Sequence, residues 1–585
     1  MVMCLRPVAV QTGQTTECEV LARYNLYGAY QVFVTGEGVT AAVDAPKTPR
    51  KPGAAIPVVS VLKVRFQVAA DALPGVRDVR VATPQGVSTL GQIVVARDPI
   101  VRESAPNDTR ETAQTIPLPA TVCGAIEKAE DVDFYKFKVG AGTALTFHVR
   151  CQRLENRIHD LQEHADPILT LRNSVGTVLA SNDNFFCGDP LLHHRFSVAG
   201  EYYLEIRDTR YGGNPYWQYC IEINDRPFVT NVHPLRVVPG RAARLRLVGH
   251  NLPSEPFAPL TLPANAPEGL QWVTLPVGKD KSNPVPVLVS RLPETVEMEG
   301  DHASPAKAQP IAVPDGISGC IAKEDETDCY SFEAKAGEHF TVAIAARAHQ
   351  SALDSLVRIV NAKGESQIEN DDASARYVNA DSSIENWTAP AAGRYTIEVR
   401  DLHGGGSPAH VYFLKVIRAE PGFELEIDTD KTLLAPGLAS VIFVRAVRKN
   451  AFAGEIRLGV EGLPAGVTAK CGRILAGGTD GCIIVRAAPD AKQSAANLRV
   501  FGSAPRPDGK GKLEATAKPL QEIYMPGGGR FHYPAAMHTL SVGDPLDLKS
   551  VTISPTSITL KPGESRKIDI TIERGPGFKG NVALD

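Results

Sequence analysis

The stretch GAIEKAEDVDFYKF, Gly124 to Phe137, sets four carboxylates within seven residues, directly ahead of a run that alternates aromatic and polar side chains. It returns as GCIAKEDETDCYSF, Gly319 to Phe332. Side chains alternate across a strand, so Tyr135 and Phe137 share one face of DFYKFKV while Phe134 points to the other. Tyr135 and Phe137, with Tyr330 and Phe332 in the second copy, are expected in a core. Asp131 and Asp133 then sit at the strand's start on the Tyr135 face, where crowded carboxylates repel one another unless a cation or donors intervene.

The repeat extends in both directions. AQTIPLPATVCGAIEKAEDVDFYKFKVGAG from Ala113 aligns without a gap with AQPIAVPDGISGCIAKEDETDCYSFEAKAG from Ala308. DPILTLRNSVGTVLASND from Asp166 matches DSLVRIVNAKGESQIEND from Asp354, and AGEYYLEIRD matches AGRYTIEVRD. Short period-two runs dominate the chain, separated by turn residues that include 50 glycines and 44 prolines. The fold class is all-β, as tandem antiparallel β-sandwiches. A second repeat, GQTTECEVLARYNL and GRAARLRLVGHNL, flanks the modules. A third begins LLAPGLASVIFVRAVRKN at Leu433 and recurs as TLKPGESRKIDITIERG at Thr559. These look like immunoglobulin-type sandwiches.

The expected boundaries are 1–99, 227–296 and 419–505 for immunoglobulin-like sandwiches, and 100–226 and 297–418 for the two repeat modules. Residues 506–549, Gly/Pro-rich and aperiodic, read as a linker. Residues 550–585 read as the start of a truncated immunoglobulin-like repeat, since two strands cannot bury a face alone.

Size and charge set limits. A chain of 585 residues suggests about four to six domains. Its net charge of −4, from 62 basic and 66 acidic residues, gives no field for nucleic acid or an anionic membrane. No apolar run approaches the ~20 residues of a membrane helix. The start, MVMCLRPVAVQTGQ, lacks the apolar stretch of a signal peptide, so the chain reads either as cytoplasmic or as a fragment of a longer one. The ten cysteines include no CxxC; Cys471 and Cys482 could bridge neighbouring strands of a hairpin, the alternative being buried free thiols.

The two modules resemble the bacterial pre-peptidase C-terminal (PPC) domain. The resemblance rests on the acidic ESAPNDT segment, G-x-I…D-x-D-x-Y-x-F, an AG turn, DP-x-L-x-L…G…L-A-x-N-D and AG-x-Y-x-L-x-I-x-D. The second copy departs at EMEGDHASP and has Ser355 where Pro167 stands. The resemblance implies non-catalytic, jelly-roll-like sandwiches of extracytoplasmic bacterial proteins, similar in fold to the collagen-binding domains of collagenases. It also implies calcium where the acidic segment meets the D-x-D strand. The matching residues are Glu103, Asn107, Asp108, Asp131 and Asp133. In the second copy they are Glu297, Glu299, Asp301, Glu326 and Asp328. Calcium takes six to eight oxygens, many from short Asp and Asn side chains on loops; the alternative is a solvated acidic turn.

Other candidate chemistry is sparse. His159, His164, His193 and His194 cluster in sequence without zinc-motif spacing. Asp166 with Asp183, repeated as Asp354 with Asp371, suits turn formation better than a glycosidase pair. No G-x-S-x-G or H-E-x-x-H motif occurs. Tyr216 and Trp217, in RYGGNPYWQY, form an aromatic hairpin tip that either contacts a sugar or protein or packs on its own sheet. The expectation is a non-enzymatic, exported multidomain chain, a spacer and adhesive array at the bacterial cell envelope for an unknown protein or polysaccharide ligand. The alternative is the accessory region of a secreted hydrolase whose catalytic domain lies outside this sequence.

Overall fold

The computed structural model describes residues 1–44, 57–298, 300, 302–373, 380–524, 529–545, 548–575 and 581–582. Strands dominate; among the described residues the α-helical structure is one turn, Gln152–Glu155. No described helix is long and apolar enough to cross a membrane.

The first repeat module is two five-stranded sheets face to face. One runs Ile100–Arg102, Ala120–Ala125, Gln218–Asn224, Ala144–Arg150, Leu191–Arg195 in spatial order. Its partner runs Gln114–Thr115, Val132–Val139, Gly200–Asp208, Pro167–Asn173, Val178–Asn182. The second module repeats this order strand for strand. Glu294–Val296, Asp315–Cys320, Val411–Arg418, His339–Ala345 and Ser383–Thr388 face Gln309–Pro310, Thr327–Ala334, Gly393–Asp401, Ser355–Asn361 and Ser366–Asn370. Register agrees as well: Gly124 pairs with Tyr219 as Gly319 does with Tyr412, and Tyr135 pairs with Leu204 as Tyr330 does with Ile397. Tyr135, Phe137, Tyr330 and Phe332 are buried between the sheets, as alternation requires.

Three further sandwiches accompany the modules. The strands between Val2–Arg6 and Gly91–Ala96 form two sheets around Val20, Val64, Phe66 and Val81. The region after Asn224 forms two three-stranded sheets, and the region from Gly422 forms an eleven-stranded system.

That last region corrects the expected linker. Residues 506–549 contain Lys512–Tyr524, Arg530–Pro534 and His538–Val542, all paired into the eleven-stranded system. The longest of these buries Ala517, Leu520 and Ile523, a spacing of three that a period of two does not detect. Among the described residues, Leu548–Ser554 pairs only with Asp569–Arg574.

All ten cysteines are free, including Cys471 and Cys482. Cys471 lies opposite Ile483. Cys482, one residue away on that strand, therefore points to the other face of the sheet, beyond a bridge.

Candidate metal centre

The acidic stretch folds as a tight turn. Glu130 and its counterpart Asp325 adopt the left-handed conformation, with φ of 63° and 57°. Their amides donate to Tyr211 O at 3.0 Å and Gly404 O at 2.9 Å, which fastens each turn to a glycine loop. A Cβ on Gly213 or Gly406 would fall 1.9 Å from Lys128 O or Lys323 O. Asp131 caps the first turn by accepting the Glu127 N–H at 2.6 Å. Glu326 does the same for Ala322 and Lys323, at 2.5 and 2.9 Å.

Behind the turn lies a buried polar cluster. Asp133 is 1% exposed and accepts hydrogen bonds from Tyr219 Oη at 2.7 Å and Asn107 Nδ2 at 3.1 Å. The Tyr135 and Tyr219 hydroxyls are bonded to each other. Glu103 Oε2 accepts the Ala125 N–H at 2.9 Å, and the Phe134 N–H donates to Asn107 O at 2.8 Å. In the second module Asp328, also 1% exposed, accepts from Tyr412 Oη at 2.6 Å, and the Tyr412 and Tyr330 hydroxyls lie 2.7 Å apart. Glu297 Oε2 accepts the Cys320 N–H at 2.7 Å, and the Cys329 N–H donates to His302 O at 3.1 Å. Glu297, Asp328 and His302 thus hold the stations of Glu103, Asp133 and Asn107.

A profile of the bacterial pre-peptidase C-terminal domain matches residues 326–401. The chain carries a PPC domain. Among solved structures, the PPC domain of a Bacillus anthracis collagenase is 16% identical, covering 19% of this chain and 93% of its own, with a TM-score of 0.15. An Escherichia coli α2-macroglobulin is 10% identical over 88% of this chain and 53% of its own, at 0.14. Domains 1–6 of the surface layer protein SbsC are 10% identical over 75% and 63%, at 0.14. No match was found among curated proteins.

In the first PPC-like module Glu103, Asn107 and Asp133 converge, and Asp131 and Asp108 lie at the turn beside them. Asp108 is exposed, and Asp131, though buried, is committed to its turn. Of the residues expected in the second module, Glu299 and Asp301 lie outside the described residues, and Glu326 caps the turn. His302 was missed because the second segment has one extra residue between its glutamate and this station. Counting back equally from Gly124 and Gly319 lands on Asn107 and His302.

Burial dominates the electrostatics. It pushes the Asp133 carboxyl up to about 9, and the facing Glu103 adds to the rise. Glu103 is raised by burial too. In the second module burial, then Asp328, lifts Glu297 to about 7, while contact with Asp328 raises His302 to about 9. The first module meets its buried acid with the Asn107 amide; the second sets an imidazole between its acids. The first donor set, all oxygen and partly from loops, fits a hard cation such as calcium.

The aromatic tip needs correction. Trp217 is 1% exposed and donates its indole N–H to Glu163 O at 2.9 Å, and Tyr216 is half-buried against the same core. Trp217 is a core residue, and the pair presents no ligand platform. The histidines also disperse. His159 packs edge-on against Tyr524 and His193 stacks on His250.

Proposed function

We propose that this chain is a non-catalytic, extracytoplasmic array of β-sandwiches, a spacer and ligand-binding region at the bacterial cell envelope, with calcium bound at the head of its first PPC-like module. The observation that carries the reading is the Glu103–Asn107–Asp133 cluster. It joins the segment before the module to the D-x-D strand, and its groups meet tyrosine and backbone donors rather than a nucleophile and base. Calcium there would neutralise the two buried carboxyls. Glu103, Asn107 and Asp133 would hold it, with Asp131 and Asp108 nearby. The adhesive partner, a protein or polysaccharide, has no assigned contact once Trp217 is placed in the core.

The second reading, an accessory region of a secreted hydrolase, is favoured by the PPC match itself. A peptidase domain encoded in the same reading frame beyond this sequence would select it; its absence would favour the array.

Thermal unfolding of the full chain in 10 mM calcium against excess chelator tests the calcium reading. With a Kd of about 10⁻³ M, typical of extracellular modules, stabilisation is about 1.4 kcal/mol. Asp133→Asn removes the response. An unchanged melting curve in calcium overturns the assignment.

A further inference from the structure

The second module's cluster differs from the first in a way that changes which ion it suits. Among the described residues, Glu297, His302 and Asp328 are the one trio of His, Cys, Asp or Glu whose ligand atoms all lie within 4.8 Å of one another. His302 Nε2 stands 3.4 Å from Glu297 Oε1 and 3.3 Å from Asp328 Oδ1. Its side chain is 6% exposed, yet Nε2 makes a hydrogen bond to neither oxygen. The nitrogen aims between two carboxylates rather than at one.

We propose that Glu297, His302 and Asp328 form a binding site for a borderline divalent cation, Zn²⁺ in the first place. Zinc bonds to nitrogen and carboxylate oxygen run about 2.0–2.2 Å, and a regular tetrahedron of that size separates its ligand atoms by about 3.3–3.6 Å. The two measured nitrogen–oxygen separations fall in that range. Calcium is a poor match, because it prefers oxygen alone and more of it.

The surrounding contacts are those a metal site requires. His302 Nδ1 lies 3.0 Å from Gly300 O, a carbonyl that can only accept. Nδ1 therefore carries a proton, and Nε2 is the nitrogen that would bind a metal ion, which would displace the proton from it. Each carboxylate gives one oxygen to a protein donor and leaves the other free. Glu297 Oε2 takes the Cys320 N–H, and Asp328 Oδ2 takes the Tyr412 hydroxyl. Access is provided by a cleft of about 980 Å³ between this module and the preceding sandwich, lined by the trio and by Arg244, Arg246 and Phe257. Three protein ligands leave one position for water from that cleft. The bound ion would pin the segment ahead of the module to strand Thr327–Ala334, and so fix the junction with the preceding sandwich. This site is independent of the calcium reading of the first module.

The test uses the full chain stripped of metal by chelation and titrated with Zn²⁺ and, separately, Co²⁺. One zinc should bind in competition with a chromophoric chelator, and cobalt should show the visible absorption of a tetrahedral site. His302→Asn installs the residue that the first module carries at this station, so folding should tolerate it. It should abolish the cobalt spectrum and weaken zinc binding by about 100-fold. Tyr412→Phe should weaken zinc by about 10-fold, since it frees the Asp328 oxygen from its orienting bond. Zinc affinity that survives His302→Asn, or a chain that binds neither ion, overturns the proposal and leaves the imidazole itself as the positive group between the acids.

Discussion

Arg80 and Asp430, 350 residues apart in the chain, form an ion pair with both side chains out of contact with water. Arg80 Nη1 also donates to Asp430 O at 2.7 Å and to Thr539 Oγ1 at 2.9 Å. Leu90, Ala535 and Met537 form an apolar cluster linking the same two regions. The first sandwich is thereby packed against the last one. Burial alone would raise the Asp430 carboxyl, but Arg80 and Lys431 hold it below the usual carboxylate range.

Removing one partner strands the other charge in a site without water. Arg80→Met or Asp430→Leu alone should destabilise the chain by about 3–5 kcal/mol, whereas the two together should cost far less than either. Urea unfolding of the four proteins checks this. Single-variant costs that simply add in the double variant would show that the pair is not coupled.

How much of this was legible in the sequence depends on how local the signal is. Tyr135 and Phe137 declare themselves because burial alternates within one strand, and the module repeat because it aligns nearly gap-free. The strand Lys512–Tyr524 did not, because Ala517, Leu520 and Ile523 bury themselves at intervals of three. RYGGNPYWQY alone leaves open whether Trp217 is exposed or packed; its indole partner, Glu163, lies 54 residues earlier, where no local pattern brings it near. His302 was hidden by one inserted residue, in a segment where only backbone pairing fixes the register.

Gly124 and Gly319 are glycines because the hydroxyl end of a tyrosine ring occupies the space a side chain would need. A Cβ on Gly124 would come 2.4 Å from Tyr219 Cζ and 2.5 Å from Glu103 Oε2; on Gly319 it would come 2.4 Å from Tyr412 Cζ. The hydroxyl bonds of both rings to buried aspartates prevent them from moving aside. Gly124→Ala should therefore cost about 1–3 kcal/mol as overpacking, read as a lowered melting temperature. Gly140→Ala, where the nearest atom is 3.7 Å away, should change stability by no more than about 0.5 kcal/mol.

His538 makes stability depend on pH. It is 1% exposed, with Nε2 2.9 Å from Thr432 Oγ1 and Nδ1 3.1 Å from Thr429 O. Burial lowers its pKa from 6.5 to about 4; the Thr429 carbonyl and Asp430 oppose the shift, while Arg80 and Lys431 reinforce it. The fold thus holds the neutral ring. Its contribution is complete above the unfolded pKa of about 6.5 and is lost as pH falls toward 4, to a limit of about 3 kcal/mol. Stability measured from pH 7 to 4 should fall less steeply in His538→Gln than in the wild type. Parallel curves would remove His538 from the acid response.

The paired tyrosines give the sharpest check on the buried clusters. Tyr219 Oη donates to Asp133, and the Tyr135 hydroxyl bonds in turn to the Tyr219 hydroxyl. The second module has the same chain, Tyr330 to Tyr412 to Asp328. Deleting the hydroxyl nearest the acid leaves a buried carboxyl short of a donor, at a cost of about 1–3 kcal/mol; deleting the outer one removes a neutral hydrogen bond, worth about 1 kcal/mol. Tyr219→Phe should therefore destabilise more than Tyr135→Phe, and Tyr412→Phe more than Tyr330→Phe. Once the inner hydroxyl is gone the outer one has lost its partner, so each double variant should cost less than the sum of its singles. Equal single costs, or strict additivity, would mean that the hydroxyls act separately and that the aspartates are satisfied without them.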